Sequence, residues 1–297
     1  MQHRHAIKVL LGIWIACLLG SCSSFSKLQK SGTDAEKYKG AIQYYKKGEW
    51  YRAGLLFEEL IPVLKGSTES EMAQFYYAYT QYQQQQYLLS ATLFKKFYET
   101  FARSDYAQEA TYMYANSLYK DTPAFNLDQS NTLTATSALQ DFINIYPDSK
   151  YKDEATKSIL DLRGKLERKA YEKAMLYYKT SGFNIASYKS AVISINNFQK
   201  EFPDSEYNEE LAFKKVDAEF SLAQNSLEGK QKERYQEAIS YHQAFVDKYP
   251  TSRFLKQSEK MYETSQKEIE RLDHQEKERE KEKEKLKNAP AKVTAAN

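Results

Sequence analysis

Phe142-Ile-Asn-Ile-Tyr146-Pro147-Asp148-Ser149-Lys150-Tyr151 is the stretch from which the fold is read, because the same pattern returns along the chain. Phe198-x3-Phe202-Pro203-x-Ser205-x-Tyr207 and Phe245-x3-Tyr249-Pro250-x-Ser252-x-Phe254 are full copies. Phe97-x3-Phe101-Ala102-x-Ser104-x-Tyr106 lacks only the proline, and Leu60-x3-Leu64 is a degraded copy. Seven residues before each first position stands a small residue (Ala53, Ser90, Ala135, Ala191, Ala238), and between them lie Phe57, Phe94, Leu139, Ile195 and His242. Spacing of seven and four places these on one stripe of a helix, where the small residue admits a close neighbour. Proline then stops the helix, since it has no N–H and disfavours helical geometry in the residue before it. Ser149, Ser205 and Ser252 are expected to cap the next helix.

The anchors at 60, 97, 142, 198 and 245 are spaced by 37, 45, 56 and 47 residues. Each unit is a helical hairpin that cannot bury its apolar stripe alone, and stacking buries it. The Ala, Phe and Pro positions match the second helix of the tetratricopeptide pattern. The predicted fold is therefore all-α, a superhelical solenoid of about five tetratricopeptide-like hairpins over residues 34–263. A low content of Gly and Pro, 10 and 6 in 297 residues, fits that class, and 25 Tyr and 15 Phe supply the bulk that fills space between helices.

Residues 1–21 read as an export signal, with Arg4 and Lys8 ahead of the apolar run Val9 to Leu19, which is too short to span a bilayer. Leu19-Gly20-Ser21-Cys22 resembles the bacterial lipobox, in which the cysteine is acylated and becomes the mature N-terminus. Cys22 is the expected lipidation site, and with Cys17 removed no thiol remains for a disulfide, a metal or a nucleophile. Ser23 and Ser24 in place of Asp resemble the sorting signal for the outer membrane. The formal charge of +3 falls to +1 without Arg4 and Lys8, so no basic field calls for nucleic acid.

Residues 22–33 read as the lipidated cysteine and a polar tether, and Asp34 as the cap of a helix to about Lys47. Tyr76 and Tyr77 lie off the core stripe of the second unit, and either line a groove or pack on the first unit. Lys120 to Asn131 is a loop rich in turn formers. Tyr151 to Thr180 reads as one helix of about 30 residues, roughly 45 Å long. Asn225 to Lys232 is a polar turn. Residues 264–297 form a charged Glu/Lys helix and a disordered tail.

No constellation for chemistry is visible: His3 and His5 fall in the signal, His242 sits on a repeat stripe as a core histidine, and His274 has no ligand-like partner. A non-catalytic chain without metal or cofactor is expected.

The lipobox followed by these units resembles the BamD family of outer-membrane protein assembly factors over about residues 22 to 260. The resemblance rests on Gly48-x-Trp50-x2-Ala53-x3-Phe57, on Asn126-Leu127-Asp128-Gln129, on the Phe142 stretch, and on Glu172-x-Ala174-x2-Tyr177-Tyr178-x3-Gly182-Phe183. It implies a lipid-anchored scaffold of the BAM complex on the periplasmic face of the outer membrane. It also implies binding to the POTRA region of the insertase BamA and to the C-terminal targeting segment of unfolded outer-membrane β-barrel proteins. Tyr76, Tyr77 and Tyr114 are the groove candidates, and Arg163, Arg168, Tyr178 and Lys179 the candidates for the insertase surface. The competing readings are a repeat lipoprotein of cell-wall synthesis or division, which would carry a coiled coil before its repeats, and a glycan-binding outer-membrane lipoprotein, which would carry more Trp than Trp14 and Trp50.

Overall fold

The computed structural model describes residues 24–288, and all its regular secondary structure is helical. After α1 (24–31) come α2 (Asp34–Lys46), α3 (Trp50–Val63), α4 (Glu69–Gln83), α5 (Tyr87–Thr100), α6 (Ala107–Lys120), α7 (Ser130–Ile145), α8 (Lys152–Thr180), α9 (Ala186–Glu201), α10 (Asn208–Gln224), α11 (Glu228–Lys248) and α12 (Leu255–Asn288). From α2 to α11 they pair as the five expected hairpins of a tetratricopeptide-like solenoid. The chain divides into two compact units at Lys165 and Leu166, inside α8.

All fifteen stripe positions are buried, from Ala53, Phe57 and Leu60 to Ala238, His242 and Phe245. Ser90 and His242 are the polar positions: Ser90 Oγ donates to the Ala78 carbonyl at 3.1 Å, and His242 Nδ1 is satisfied by Ser258 Oγ at 2.7 Å while its ring stacks on Tyr262. In the first unit the stripes of α5 and α7 meet Phe75, Tyr112 and Met113 from the first helices of their hairpins. In the second unit Ile195 and Phe198 meet Ala174, Met175 and Leu211.

The recurring turn is built the same way each time. The second aromatic leaves helical geometry (φ −115 to −129°, ψ 52 to 67°) yet still donates its N–H to the carbonyl of the first, as Phe101 does to Phe97 and Tyr146 to Phe142. Phe101 does this before alanine, so proline reinforces the stop without being required for it. The serines do not cap helices directly. They stand three residues before the helix, and the Oγ of Ser104, Ser149, Ser205 and Ser252 accepts from the N–H two residues on. Each serine carbonyl then receives the first N–H of α6, α8, α10 or α12. The last aromatic of the motif meets a ring of the preceding hairpin's first helix, tilted by 40° for Tyr106 and stacked in the three later copies. Centroid distances are 4.8 Å for Tyr106 on Phe75, 4.4 Å for Tyr151 on Tyr112, 4.2 Å for Tyr207 on Tyr171 and 4.6 Å for Phe254 on Phe213.

Several boundaries differ from expectation. Residues 24–31 are helical, because Phe25 and Leu28 have apolar partners on α2 and α3. Thr33 caps α2 in place of Asp34, in a capping box with Glu36 that the Thr-x-x-Glu spacing encodes. The polar turn expected over 225–232 is only 225–227, since Glu228 to Lys232 already form the first turns of α11. The 121–129 loop is fixed by Gln129, whose Nε2 donates to the carbonyls of Ala124 and Leu127 while its Oε1 accepts from Thr132. Packing of α12 continues past residue 263, with Ile269 and the buried Leu272 against Ala223 and Tyr235. Lys232 also pairs with Asp273, and Arg279 with Glu228.

One buried acid strains the second unit. Glu219 on α10 is 3 % exposed and its Oε1 makes no hydrogen bond. Burial, followed by the facing Glu237 carboxyl, raises its pKa against the opposing pull of Arg234 and Lys189. A carboxyl raised in the folded state binds its proton more tightly there than in the unfolded chain. Its stabilising contribution is therefore complete below the ordinary carboxylate range and is lost as pH rises.

Two predictions follow from this packing. Phe142→Ala should lower stability by about 3–5 kcal/mol, while Pro147→Ala should cost no more than about 1 kcal/mol, both measured by denaturant unfolding. Glu219→Gln should raise the thermal midpoint above that of the unsubstituted protein at pH 8, with the difference narrowing at pH 5. Equal midpoints at pH 8 would refute the assignment.

Candidate partner-binding surfaces

The first helices of successive hairpins are tied to one another by tyrosines. Tyr79 on α4 donates to Glu109 on α6, and Tyr119 on α6 donates to Asp161 on α8 at 3.2 Å. In the second unit Tyr171 and Tyr178 on α8 donate to Glu210 and Asp217 on α10. Burial, followed by these carboxylates, pushes Tyr171 up to about 12 and moves Tyr79 and Tyr178 in the same direction. Such hydroxyls stay protonated and act as donors that set the spacing of the helices.

This sorts the residues expected at partner surfaces. Tyr77 is 8 % exposed and packs on Ala53, Leu56 and Phe57, so it belongs to the core and not to a groove. Tyr76 is half-buried, its ring 4.5 Å from that of Tyr45, and it packs on the first hairpin. Tyr178 is half-buried, donates to Asp217 and lies under the Lys214 ammonium at 4.5 Å, so its visible task is structural. Arg168 is exposed but holds Glu172 at 2.7 Å. Lys179 is exposed in the last turn of α8. Arg163 is half-buried and lies in the first unit, apart from the other three in the chain's division. Cys22 lies outside the described residues.

Tyr114 does line a groove. Helices α5 and α7 flank α6 and leave a cavity of about 560 Å³ lined by Tyr98, Tyr114, Ala138, Ile145 and Tyr146, with Lys95 and Asp141 at its margin. Tyr98 and Tyr114 meet edge to face at 5.9 Å, and burial pushes Tyr98 up to about 12. One hairpin earlier an equivalent cavity of about 680 Å³ lies over α4, lined by Ile61, Ser70, Gln74 and Phe101. Ser70 and Gln74 precede Ala107 and Thr111 of the first groove by one repeat of 37. Tyr98 is not among the residues that the sequence marks as groove candidates. Its signal is its place directly after the anchor Phe97, which turns it off the core stripe.

A different surface forms the turn from α8 to α9. Phe183 is 96 % exposed there, accompanied by the exposed Leu176 and Ile185. No acidic residue occurs from Lys173 to Lys200, whereas Lys173, Lys179, Lys189 and Lys200 all do. This hairpin is cationic and apolar at once.

Among the described residues no group of three His, Cys, Asp or Glu is placed to hold a metal ion. No helix among them is long and apolar enough to cross a membrane.

No curated protein matches the chain. A family model does match, that of YfiO, described as an outer membrane lipoprotein, over residues 30–187. It covers α2 to α8 and the turn carrying Phe183, which is more than half of the 297 residues. The first three hairpins and the long α8 with its Tyr177-Tyr178-x3-Gly182-Phe183 turn thus fall within the matched region, and the chain belongs to the YfiO family of outer membrane lipoproteins.

Proposed function

We propose that this outer membrane lipoprotein is a non-catalytic scaffold for the folding and insertion of β-barrel proteins, anchored through acylated Cys22 and facing the periplasm. The family match over residues 30–187, from the first three hairpins through α8, carries the reading. Two surfaces give it physical content. The groove over α6 offers stacking faces on Tyr98 and Tyr114 and a cation in Lys95. An extended segment ending in an aromatic residue and a carboxylate has the complementary chemistry, so this groove is our candidate for the C-terminal targeting segment of barrel clients. The turn at Phe183 offers an exposed apolar anchor with Lys179 in the last turn of α8 and Lys189 in the first turn of α9, and charges beside an apolar contact give such a surface specificity for its partner. We assign it to the POTRA region of a BamA-like insertase.

The test is co-purification of the tagged protein from membranes in mild detergent. A POTRA-containing β-barrel protein should accompany it, and Phe183→Ser with Lys179→Glu should reduce recovery of that partner by tenfold or more, about 1.4 kcal/mol or above. Tyr98→Ala with Tyr114→Ala should leave that partner in place and weaken crosslinking to a peptide ending in phenylalanine. Absence of any such partner from intact complexes would overturn the proposal.

A further inference from the structure

The chain enters the first unit at one particular edge. In α1 the Phe25 ring meets Tyr44 at 5.4 Å and lies under the Arg52 guanidinium, and one turn later Gln29 donates to Glu59 at 2.7 Å. Arg52 is in the first turn of α3 and Glu59 lies about two turns further on. Helix α1 therefore runs alongside α3 in the same direction, and its start lies at the edge where α2 ends and α3 begins. Phe25 follows Cys22 by three residues, a reach of about 10 Å. A lipid on Cys22 brings the bilayer surface to this edge.

The same edge carries an apolar series in register with the repeat. Tyr51, Leu88 and Leu133 each stand nine residues before an anchor, at 60, 97 and 142. They lie in the first turns of α3, α5 and α7 and are 67, 63 and 59 % exposed. Successive helices are antiparallel across short turns, so these three first turns share one side of the unit with the ends of α2, α4 and α6. Lys46, Lys47 and Lys120 add exposed cations at those ends. In the two later hairpins the equivalent positions are Lys189 and Gln236, so the apolar series belongs to the first unit alone.

We infer that this edge of the first unit lies against the bilayer that holds the anchor, with Tyr51, Leu88 and Leu133 entering the headgroup region and the lysines meeting anionic phosphates. One acyl anchor fixes a point and leaves the protein free to swivel. A line of apolar contacts in register with the repeat fixes an orientation. Tyrosine and leucine beside lysine are the side chains that partition to such an interface. The inference rests on acylation of Cys22, which is part of the proposed function.

The test uses the full acylated chain in vesicles of phosphatidylethanolamine and phosphatidylglycerol. The sequence has only Cys17 and Cys22, so an introduced cysteine supplies the one free thiol of the mature lipoprotein. Leu88→Cys and Leu133→Cys are labelled with a polarity-sensitive fluorophore. The control is Val63→Cys, similarly exposed at the far end of α3 and about 18 Å from Tyr51 along that helix. Labels at 88 and 133 should shift to shorter wavelength and be quenched by a lipid-borne spin label, while the label at 63 does neither. Flotation of the same vesicles reports the anchor separately. Flotation without quenching at 88 and 133, or quenching equal at all three positions, overturns the membrane-facing edge alone. A wavelength shift without lipid quenching means that protein covers the edge and also overturns it. Failure to float overturns the anchor and this inference with it.

Discussion

A helix that stops inside a stack of helices leaves carbonyls to be satisfied where little water reaches them. Here the second helix of each later hairpin solves this by keeping one hydrogen bond after helical geometry is abandoned, from the N–H of the second aromatic to the carbonyl of the first. That bond lets the first aromatic remain fully buried while the chain reverses. The serine three residues on then turns the chain into the next helix, and the motif's last ring lands on a ring of the preceding hairpin. The stop, the turn and the stack are consequences of one ten-residue pattern. Packing across hairpins depends on that chain of steps, because each stacked ring adds about 0.5–1.5 kcal/mol beyond its buried area and also fixes the approach of the next helix.

The fold was readable because periodicity reports burial. Every residue on the Ala53, Phe57, Leu60 stripe and its copies is buried, and even His242 obeys because Ser258 supplies its partner. Tertiary partners were not readable. The pattern shows that Phe25 and Leu28 are apolar but not that α2 and α3 offer them a seat, so a short helix looks like a tether in the sequence. The serines resemble caps because capping preference depends on residue type, whereas the bond they accept, from the N–H two residues on, depends on the turn.

The surfaces show the same limit more sharply. Tyr77 and Tyr114 occupy equivalent positions, 37 residues apart, in the first helices of neighbouring hairpins. Sequence gives them one role, yet Tyr77 is enclosed by Leu56 and Phe57 while Tyr114 opens onto a groove beside Tyr98. The difference lies in what stands across from each. Ile61 and Leu64 pack against the core that holds Tyr77, and Ile61 also lines the cavity over α4, whereas one repeat later the place of Ile61 is taken by Tyr98, whose ring meets Tyr114 edge to face in the groove lining. A binding position in a repeat protein is thus a property of facing pairs, and a single stripe does not reveal it.

The tyrosines also separate architecture from recognition. Tyr79, Tyr119, Tyr171 and Tyr178 spend their hydroxyls on carboxylates of the next hairpin, so an aromatic-rich composition does not by itself mean an aromatic binding face. The faces our proposals assign to partners are made of other side chains: the groove pair Tyr98 and Tyr114, the exposed Phe183 turn, and the series Tyr51, Leu88, Leu133. Exposed apolar residues scattered singly need no explanation, but three in register with a repeat do. A core position is kept apolar by its neighbours. An exposed one that recurs with the repeat is not enclosed by the described residues, and on our inference it is matched by a surface continuous over three hairpins, as a bilayer is.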